Sequence, residues 1–389
     1  MLAAAVVLAW PWRSESSTSV ILPSLSPFIA IGGAIAARNA SVLVLLALPV
    51  VVLVMFFPRW FCRYGCPTGF LQEWIEQLRP RAKRREIKWP APGQWLVLLT
   101  LGGALLGYPL FLWLDPLAIF NGFLNAWRKP IALGTLLTGL GLPLLLLFDL
   151  ALPRLWCQRI CPLGASQDLL TLPRRWLRAR SLCVNGEQMS DASPLASGRR
   201  WFLGTCAGVA GALTLRAVRG QSSPLRPPGS LDEARFTGVC VRCGNCAQVC
   251  PSRIIQPDFV AGGVTGFLAP QLRFDDDYCR DDCHRCNEVC PSGAIARLTR
   301  PEKRRQIIGR AVVDLNLCLL AQGRECTACL QKCPYHALVM HSADGGFSNE
   351  PRVLVERCNG CGACEAVCPT RPARAIRVKL APGARVLPS

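Results

Sequence analysis

The sequence predicts a membrane α-helical N-terminal domain followed by a small cysteine-rich α+β domain. Three observations carry that expectation. The long apolar runs all lie in the first half of the 389 residues. Most of the 22 cysteines lie after residue 239, in groups that each end in Cys-Pro. Between the halves, residues 219–230 read Arg-Gly-Gln-Ser-Ser-Pro-Leu-Arg-Pro-Pro-Gly-Ser, a linker by composition. The expected domains are 1–200, a span and linker at 201–230, and 231–389.

Apolar runs occupy 42–57, 95–114 and 131–152, each long enough or nearly so to cross a hydrocarbon core of about 30 Å. Residues 1–12 are too short to span and read as the end of a helix that starts upstream. Residues 201–215 form a weaker, glycine-containing run. About five membrane segments are expected in all. A weak internal repeat runs through this half. Leu25-Ser26-Pro27-Phe28, an apolar run and Cys62-Arg63-Tyr64-Gly65-Cys66-Pro67 answer to Leu114-Asp115-Pro116-Leu117, an apolar run and Cys157-Gln158-Arg159-Ile160-Cys161-Pro162. Such repeats imply two structural halves about a pseudo-axis. By this register residues 20–37 are an interfacial or re-entrant piece; the alternative is a tight hairpin turning at Arg38-Asn39.

The formal charge of +19 is uneven: residues 1–230 hold 23 Lys and Arg against 9 Asp and Glu. These basic residues lie in loops between apolar runs, which is a topology signal and not a nucleic-acid footprint. Residues 58–93 carry Arg59, Arg63, Arg79, Arg81, Lys83, Arg84, Arg85 and Lys88, and 153–200 carry eight arginines, whereas 115–130 carries only Arg128 and Lys129. Both Cys-x-x-x-Cys-Pro motifs are thereby expected at the cytoplasmic face of the inner membrane.

Cys240, Cys243, Cys246 and Cys250 are spaced C-x2-C-x2-C-x3-C with Pro251 next, and Cys358, Cys361, Cys364 and Cys368 repeat the pattern with Pro369. This is the bacterial ferredoxin run, in which three thiolates wrap one cubane and the fourth reaches another. Zinc asks for neither the third and fourth spacings nor Cys-Pro. Cys279, Cys283, Cys286 and Cys290 (with Pro291) and Cys318, Cys326, Cys329 and Cys333 (with Pro334) keep ferredoxin spacing among their last three cysteines and displace the first. Sixteen thiolates suffice for four [4Fe–4S] clusters in an α+β ferredoxin-like polycluster domain. Which distant cysteine completes which cluster is open; by analogy with four-cluster electron-transfer subunits, the first group pairs with the fourth and the second with the third.

Cys62, Cys66, Cys157 and Cys161 cannot complete a cluster pair by pair. Brought together by the repeat, they offer either one further iron–sulfur centre or redox-active thiols; otherwise Cys and Pro merely end the helices. Cys183 and Cys206 have no partner in spacing and read as small buried residues. Haem is excluded: no C-x-x-C-H occurs, and the first histidine of the chain is His284, beyond the apolar half. Glu73, Glu76, Asp115 and Asp149 are interfacial or packing residues with no catalytic role assigned.

The repeated Cys-x-x-x-Cys-Pro helices resemble NapH-type membrane polyferredoxins. The sixteen-cysteine half resembles NapG/MauM-type ferredoxins, including the stretched motif from Val313-Asp314-Leu315-Asn316-Leu317-Cys318 to Cys333-Pro334. Together these cover most of 40–380, and the chain resembles a fusion. NapH-type proteins usually carry ferredoxin motifs of their own after the second Cys-x-x-x-Cys-Pro, and this chain departs from that. The resemblance implies a quinol dehydrogenase-type subunit, passing electrons from quinol to a periplasmic partner of nitrate reductase-like or related type. A rival is an assembly or regulatory iron–sulfur protein for a periplasmic metalloenzyme. Gly198-Arg199-Arg200-Trp201-Phe202-Leu203 resembles a twin-arginine export signal, here internal and retained as an anchor, which makes the cluster domain periplasmic. The bland reading is ordinary positive charge in a cytoplasmic loop; a cytoplasmic ferredoxin domain feeding the membrane half would follow from it. Export also leaves a gap of about 30 Å between cytoplasmic cysteines and periplasmic clusters.

Overall fold

The computed structural model describes residues 2–10, 17–39, 42–77, 92–127, 133–172, 174, 194–217, 224–342 and 349–380. The basic stretch 78–91, Cys183 and residues 219–223 of the expected linker lie outside them. Two compact units result, and they do not follow chain order. One comprises Met1–Arg219, Ala234–Asn245 and Cys290–Ala294; the other Gly220–Glu233, Cys246–Val289 and Ile295–Ser389.

The first unit is helical. Its elements are α1 (Leu2–Ala9), α2 (Ile21–Ser24), α3 (Pro27–Ala37), α4 (Leu48–Phe56), α5 (Trp60–Tyr64), α6 (Pro67–Gln77), α7 (Pro92–Leu105), α8 (Pro116–Asn125), α9 (Leu133–Gly139), α10 (Gly141–Ala151), α11 (Pro162–Leu170) and α12 (Pro194–Ala217). Thr18–Ser24 and Pro27–Ala37 meet at 90°, the geometry of either a broken span or a re-entrant loop. Ser26 caps α3 by accepting from the Ile29 amide at 3.3 Å. Asp115 caps α8 by accepting from Leu117 at 2.9 Å and Ala118 at 3.3 Å. Proline follows each cap at the first turn, where its missing N–H costs nothing. The two caps also meet: Ser26 Oγ donates to Asp115 Oδ2 at 2.5 Å, with both residues fully buried.

One described helix, Gly134–Ala151, is long and apolar enough to cross a membrane; a second counts if the bent pair is one span. Val42–Phe56 and Pro92–Leu105 are apolar but shorter. The expected run 95–114 is not continuous, because Gly107 turns the chain at φ 80° and Leu112–Leu114 is a separate 3-10 turn. The glycines of the weak run at 201–215 have a packing reason. A Cβ on Gly208 would sit 2.3 Å from the Leu99 carbonyl oxygen, and one on Gly102 would sit 2.2 Å from that of Thr205, so α7 and α12 touch backbone to backbone. Cys206 on α12 is exposed, which corrects its reading as a buried filler: the glycines of α12 that face α7 are Gly204 and Gly208.

The second unit is α+β. After α13 (Glu233–Val239) and α14 (Asn245–Gln248), both shared with or bordering the first unit, come β1 (Ile255–Pro257), α15 (Gly263–Gly266), β2 (Pro270–Leu272), α16 (Arg285–Glu288), α17 (Arg300–Arg305), β3 (Arg310–Val313), α18 (Ala328–Lys332), β4 (Leu338–Ser342), β5 (Asn349–Val353), α19 (Ala363–Val367) and β6 (Ile376–Lys379). The strands form three antiparallel pairs, β1–β2, β3–β6 and β4–β5. Each pair is too small to bury a core alone, so cysteines fill the interior: Cys250 packs with Ile254, Leu272, Phe274 and Ile308, and Cys318, Cys333, Cys358, Cys364 and Cys368 with Leu338 and Ile376.

Residues 224–230 are not a linker. Arg226 is fully buried; it pairs with Glu233 at 2.6 Å and Asp258 at 3.5 Å and donates to the Pro270 carbonyl at 2.8 Å. Composition suggested a tether because Pro, Gly and Ser dominate; the arginine among them is the anchor. Replacing it strands two carboxylates in a low-dielectric site. Arg226→Met is expected to cost about 3–5 kcal/mol, seen as a lower denaturant midpoint of the full chain; a midpoint matching the wild type would mean the pair is solvated.

Candidate iron–sulfur centres

The ferredoxin runs share a backbone device. In the first, Arg242 and Gly244 adopt φ 57° and 79°; in the last, Gly360 and Gly362 adopt 76° and 86° at the matching positions. This left-handed twist turns successive amides to one side, a nest for an anion. The Asn245 amide accordingly bonds Cys243, that of Ala363 bonds Cys361, and that of Ala337 reaches Cys333 Sγ at 3.3 Å. After three of the four Cys-Pro pairs the chain leaves through another left-handed residue: Arg253, Gly293 and His336.

These turns sort the thiols. Cys318, Cys326, Cys329 and Cys368 line one cavity, and Cys333, Cys358, Cys361 and Cys364 line another. Cys250 lies within electrostatic reach of Cys279 and Cys286, and Cys283 of both. In the helical unit Cys243 has Cys240 and Cys290 as charged neighbours, and the run itself supplies Cys246, the residue after Asn245. The thiols thus fall into a first group (Cys240, Cys243 and Cys290, to which the ferredoxin spacing alone adds Cys246), a second (Cys250, Cys279, Cys283, Cys286), a third (Cys318, Cys326, Cys329, Cys368) and a fourth (Cys333, Cys358, Cys361, Cys364). This corrects the expected pairing of groups one with four and two with three. Neighbouring groups pair, because Cys-Pro ends each run with a turn that carries its last thiol to the adjacent group. The second and fourth centres are directly joined, the Cys279 amide donating to the Cys361 carbonyl at 2.9 Å.

The donor set fits a cubane. Four thiols, and no His, Asp or Glu side chain, line each of the cavities of the third and fourth centres, which is the all-cysteine ligand set of a cubane. Burial pushes the free Cys279 thiol up to about 11 against the pull of Lys303, and Cys361 up to about 12. Ligation demands the thiolate, so the amides and Lys303 favour the form that a cluster needs. A bound cluster supplies one-electron transfer.

The helical unit holds the other four cysteines, and the structure brings them together. Cys161 lies within electrostatic reach of Cys62, Cys66 and Cys157. The repeat is longer than the cysteines alone: Pro58, Arg59, Cys62, Cys66, Pro67, Gly69 and Gln72 match Pro153, Arg154, Cys157, Cys161, Pro162, Gly164 and Gln167. The partners cross between copies. Gln167 Nε2 donates to Cys62 Sγ at 3.2 Å, and Cys157 meets Gln72 Oε1. Arg59 forms a two-pronged pair with Asp168 at 2.9 and 2.5 Å, and Arg154 pairs with Glu76. Cys66 and Cys161 begin α6 and α11, and the amides of Gly69 and Gly164 bond them. Helix N-termini favour the thiolate there. Cys157 lies in a π turn, Trp156–Ile160, a form frequent at functional sites. The arginines, glycines and glutamines went unread in the sequence; aligning the two copies beyond the cysteines would have found them.

The same unit supports the first centre. Asn121 and Asn125 on α8 donate to the Cys243 carbonyl at 3.1 and 2.8 Å and to Asn245 Oδ1 at 2.6 and 2.9 Å. On α3, the repeat equivalent of α8, a Cβ on Gly33 would sit 2.7 Å from the Ser292 carbonyl, and Ala37 faces Gly293. Each half-helix therefore grips one of the two segments that bring ligands to this centre.

Family comparison agrees with these groupings. A 4Fe-4S binding domain matches residues 39–86 and again 132–180, and 4Fe-4S dicluster domains match 239–319 and 324–372. The chain is 32% identical to ferredoxin-type protein NapG of Escherichia coli over 200 residues, 46% of this chain and 85% of that protein. It is 34% identical to ferredoxin-type protein NapF of Escherichia coli over 152 residues, 39% of this chain and 84% of that protein. It is 31% identical to the methylamine utilization ferredoxin-type protein MauM of Methylophilus methylotrophus over 160 residues, 38% of this chain and 67% of that protein. No solved structure matches the chain.

The glutamines give a test. Gln72 Nε2 and Gln167 Oε1 are buried with no hydrogen-bond partner among the described residues. Turning the Gln72 amide over would present its N–H2 to Cys157, as Gln167 does to Cys62. Hydrogen bonds to cluster sulfurs set potential. Gln72→Leu with Gln167→Leu should retain iron yet make a centre on these cysteines harder to reduce in an EPR-monitored titration of the full chain. An unchanged potential would leave the glutamines as packing only.

Proposed function

The chain belongs to the NapG, NapF and MauM family of ferredoxin-type proteins, and from that premise we propose that it is a membrane-anchored iron–sulfur relay passing electrons from quinol toward a periplasmic redox enzyme. That it is an iron–sulfur electron-transfer protein follows from the family; the rest is the proposal. One observation carries it: the four-thiol site and the ligand loops of the first centre lie along the same pair of half-helices. Cys66 is within electrostatic reach of Asp115, at the start of α8, while Cys243 is held at the other end of that helix. Ten residues of α-helix measure about 15 Å, half the thickness of a hydrocarbon core. A fifth cluster on Cys62, Cys66, Cys157 and Cys161 would shorten the cross-membrane gap to that step. The relay then runs from this centre to the first, the second, the fourth and the third. The NapH-like resemblance of the helical half fits the same role.

The membrane reading is supported by apolar surface. Only 22% of Gly134–Ala151 is buried, and Phe56, Leu144, Leu147 and Phe202 face outward. Four residues join Ala37 to Val42, so the loops gripped by α3 lie at the end of helix 42–56 away from Cys62. With the arginine-rich Cys62 side cytoplasmic, the first centre faces the periplasm. The twin arginines, Arg199 and Arg200, are exposed in the first turns of α12.

Full-length protein, purified anaerobically, should hold about 20 iron, four for each of five cubanes. About 16 would remove the fifth centre, and zinc would remove the reading altogether. Cys→Ser at any of the four N-terminal positions should abolish quinol-dependent reduction while the other clusters remain; normal transfer by all four variants would leave these cysteines as structural ends of their helices, whereas wild-type clusters that quinol does not reduce would favour the assembly or regulatory alternative. Lysine matches arginine in charge but not in donor geometry. Arg199→Lys with Arg200→Lys should therefore leave the C-terminal domain in the cytoplasm, read by protease accessibility. A domain still exported would make the arginines a plain charge signal.

A further inference from the structure

Lys303 is 1% exposed, among the largest fully buried side chains of the protein. Its helix is fixed in place, since α17 opens with a capping box in which Thr299 and Glu302 satisfy each other's backbone amides. Its neighbours on that helix point out to solvent, Arg304 pairing with Asp281 at 3.1 Å. Lys303 turns inward. Its Nζ donates to the Arg280 carbonyl and to Cys279 Sγ, and its charge also reaches Cys286. No carboxylate pairs with it among the described residues.

A buried ammonium with no counter-ion is strongly unfavourable. Among the described residues the acidic groups that its charge is seen to reach are the thiols of Cys279 and Cys286, two ligands of the second centre, and an all-cysteine cluster is a dense negative body. We propose that Lys303 is the fixed counter-charge of the second centre, a positioning residue that raises the centre's reduction potential by favouring the more negative, reduced state. This rests on the cluster reading above and adds a role that neither the cysteine motifs nor the family comparison assigns. Its location matters for the relay. Cys279 is also the residue whose amide bonds Cys361 of the fourth centre, so Lys303 stands at the junction where an electron leaves one dicluster pair for the next.

The test is an EPR-monitored redox titration of the full-length protein in detergent. Cys283→Ser identifies the second centre by the signal it removes. Lys303→Met should keep iron content and lower the ratio of reduced to oxidised second centre about tenfold at a given potential, equivalent to about 59 mV for a one-electron couple. Lys303→Arg, which keeps the charge, should titrate as wild type. A methionine variant that keeps its iron and its potential overturns the proposal. If methionine loses the centre and arginine keeps it at the wild-type potential, the charge is needed for the cluster to sit there, and the proposal stands. If both variants lose it, the lysine only fills space and the proposal falls. Wild-type protein without the Cys283-dependent signal overturns the proposal and the cluster assignment together; with that signal but fewer irons in total, only the cluster count fails.

Discussion

Thiolate convergence is the constraint on which the rest of the structure depends. Each centre needs four sulfurs from separated stretches of chain, and each sulfur must be an anion inside apolar packing. Neither condition is favourable unaided: burial drives thiols toward their protonated form, and closing several loops costs chain entropy. The protein meets the first with oriented N–H groups and fixed cations, and the second with short hairpins that keep paired segments close. The amides of Asn245, Ala337 and Ala363, the N-terminal turns of α6 and α11, and Lys303 are variants of one solution.

The helical unit applies that solution through duplication. Because Gln72 serves the cysteine of the second copy and Gln167 that of the first, neither copy completes a site alone. The ion pairs cross in the same sense, Arg59 to Asp168 and Arg154 to Glu76, although the second uses a carboxylate one turn beyond the position the repeat predicts, Glu73. Asp115 and Ser26, at matching positions of the two copies, are an acceptor and a donor that bond each other.

The sequence made the cysteine groups legible because their spacing is local: three thiols within seven residues report a cluster wherever the chain goes. The correspondence of Ser26-Pro27 with Asp115-Pro116 was legible for the same reason, but that each is a helix cap and that the two caps meet was not. Pairing between groups was not, since it depends on how a chain turns after Cys-Pro, and the analogy used for it pointed to the wrong partners. Arg226 was hidden because its carboxylate partners lie 7 and 32 residues away, with nothing in the local composition to betray burial. The glycines of α12 were legible as unusual, but their contact with α7 was not, since helix contact and a weakly hydrophobic export signal leave the same trace in a sequence.

The grouping of Ala234–Asn245 and Cys290–Ala294 with the helices has a consequence for why the two halves share one polypeptide. The matched part of NapG corresponds to 46% of this chain. If the cysteine-rich half were a separate molecule, every encounter with the helical half would have to seat both of those short segments afresh, and occupancy would vary with how much of each was made. Covalent continuity turns that encounter into an intramolecular one, with an effective concentration in the millimolar range for a short connection. The first centre is then supported at all expression levels and dilutions. The helical and cysteine-rich halves are also made in strict one-to-one ratio, which two independently translated chains cannot guarantee.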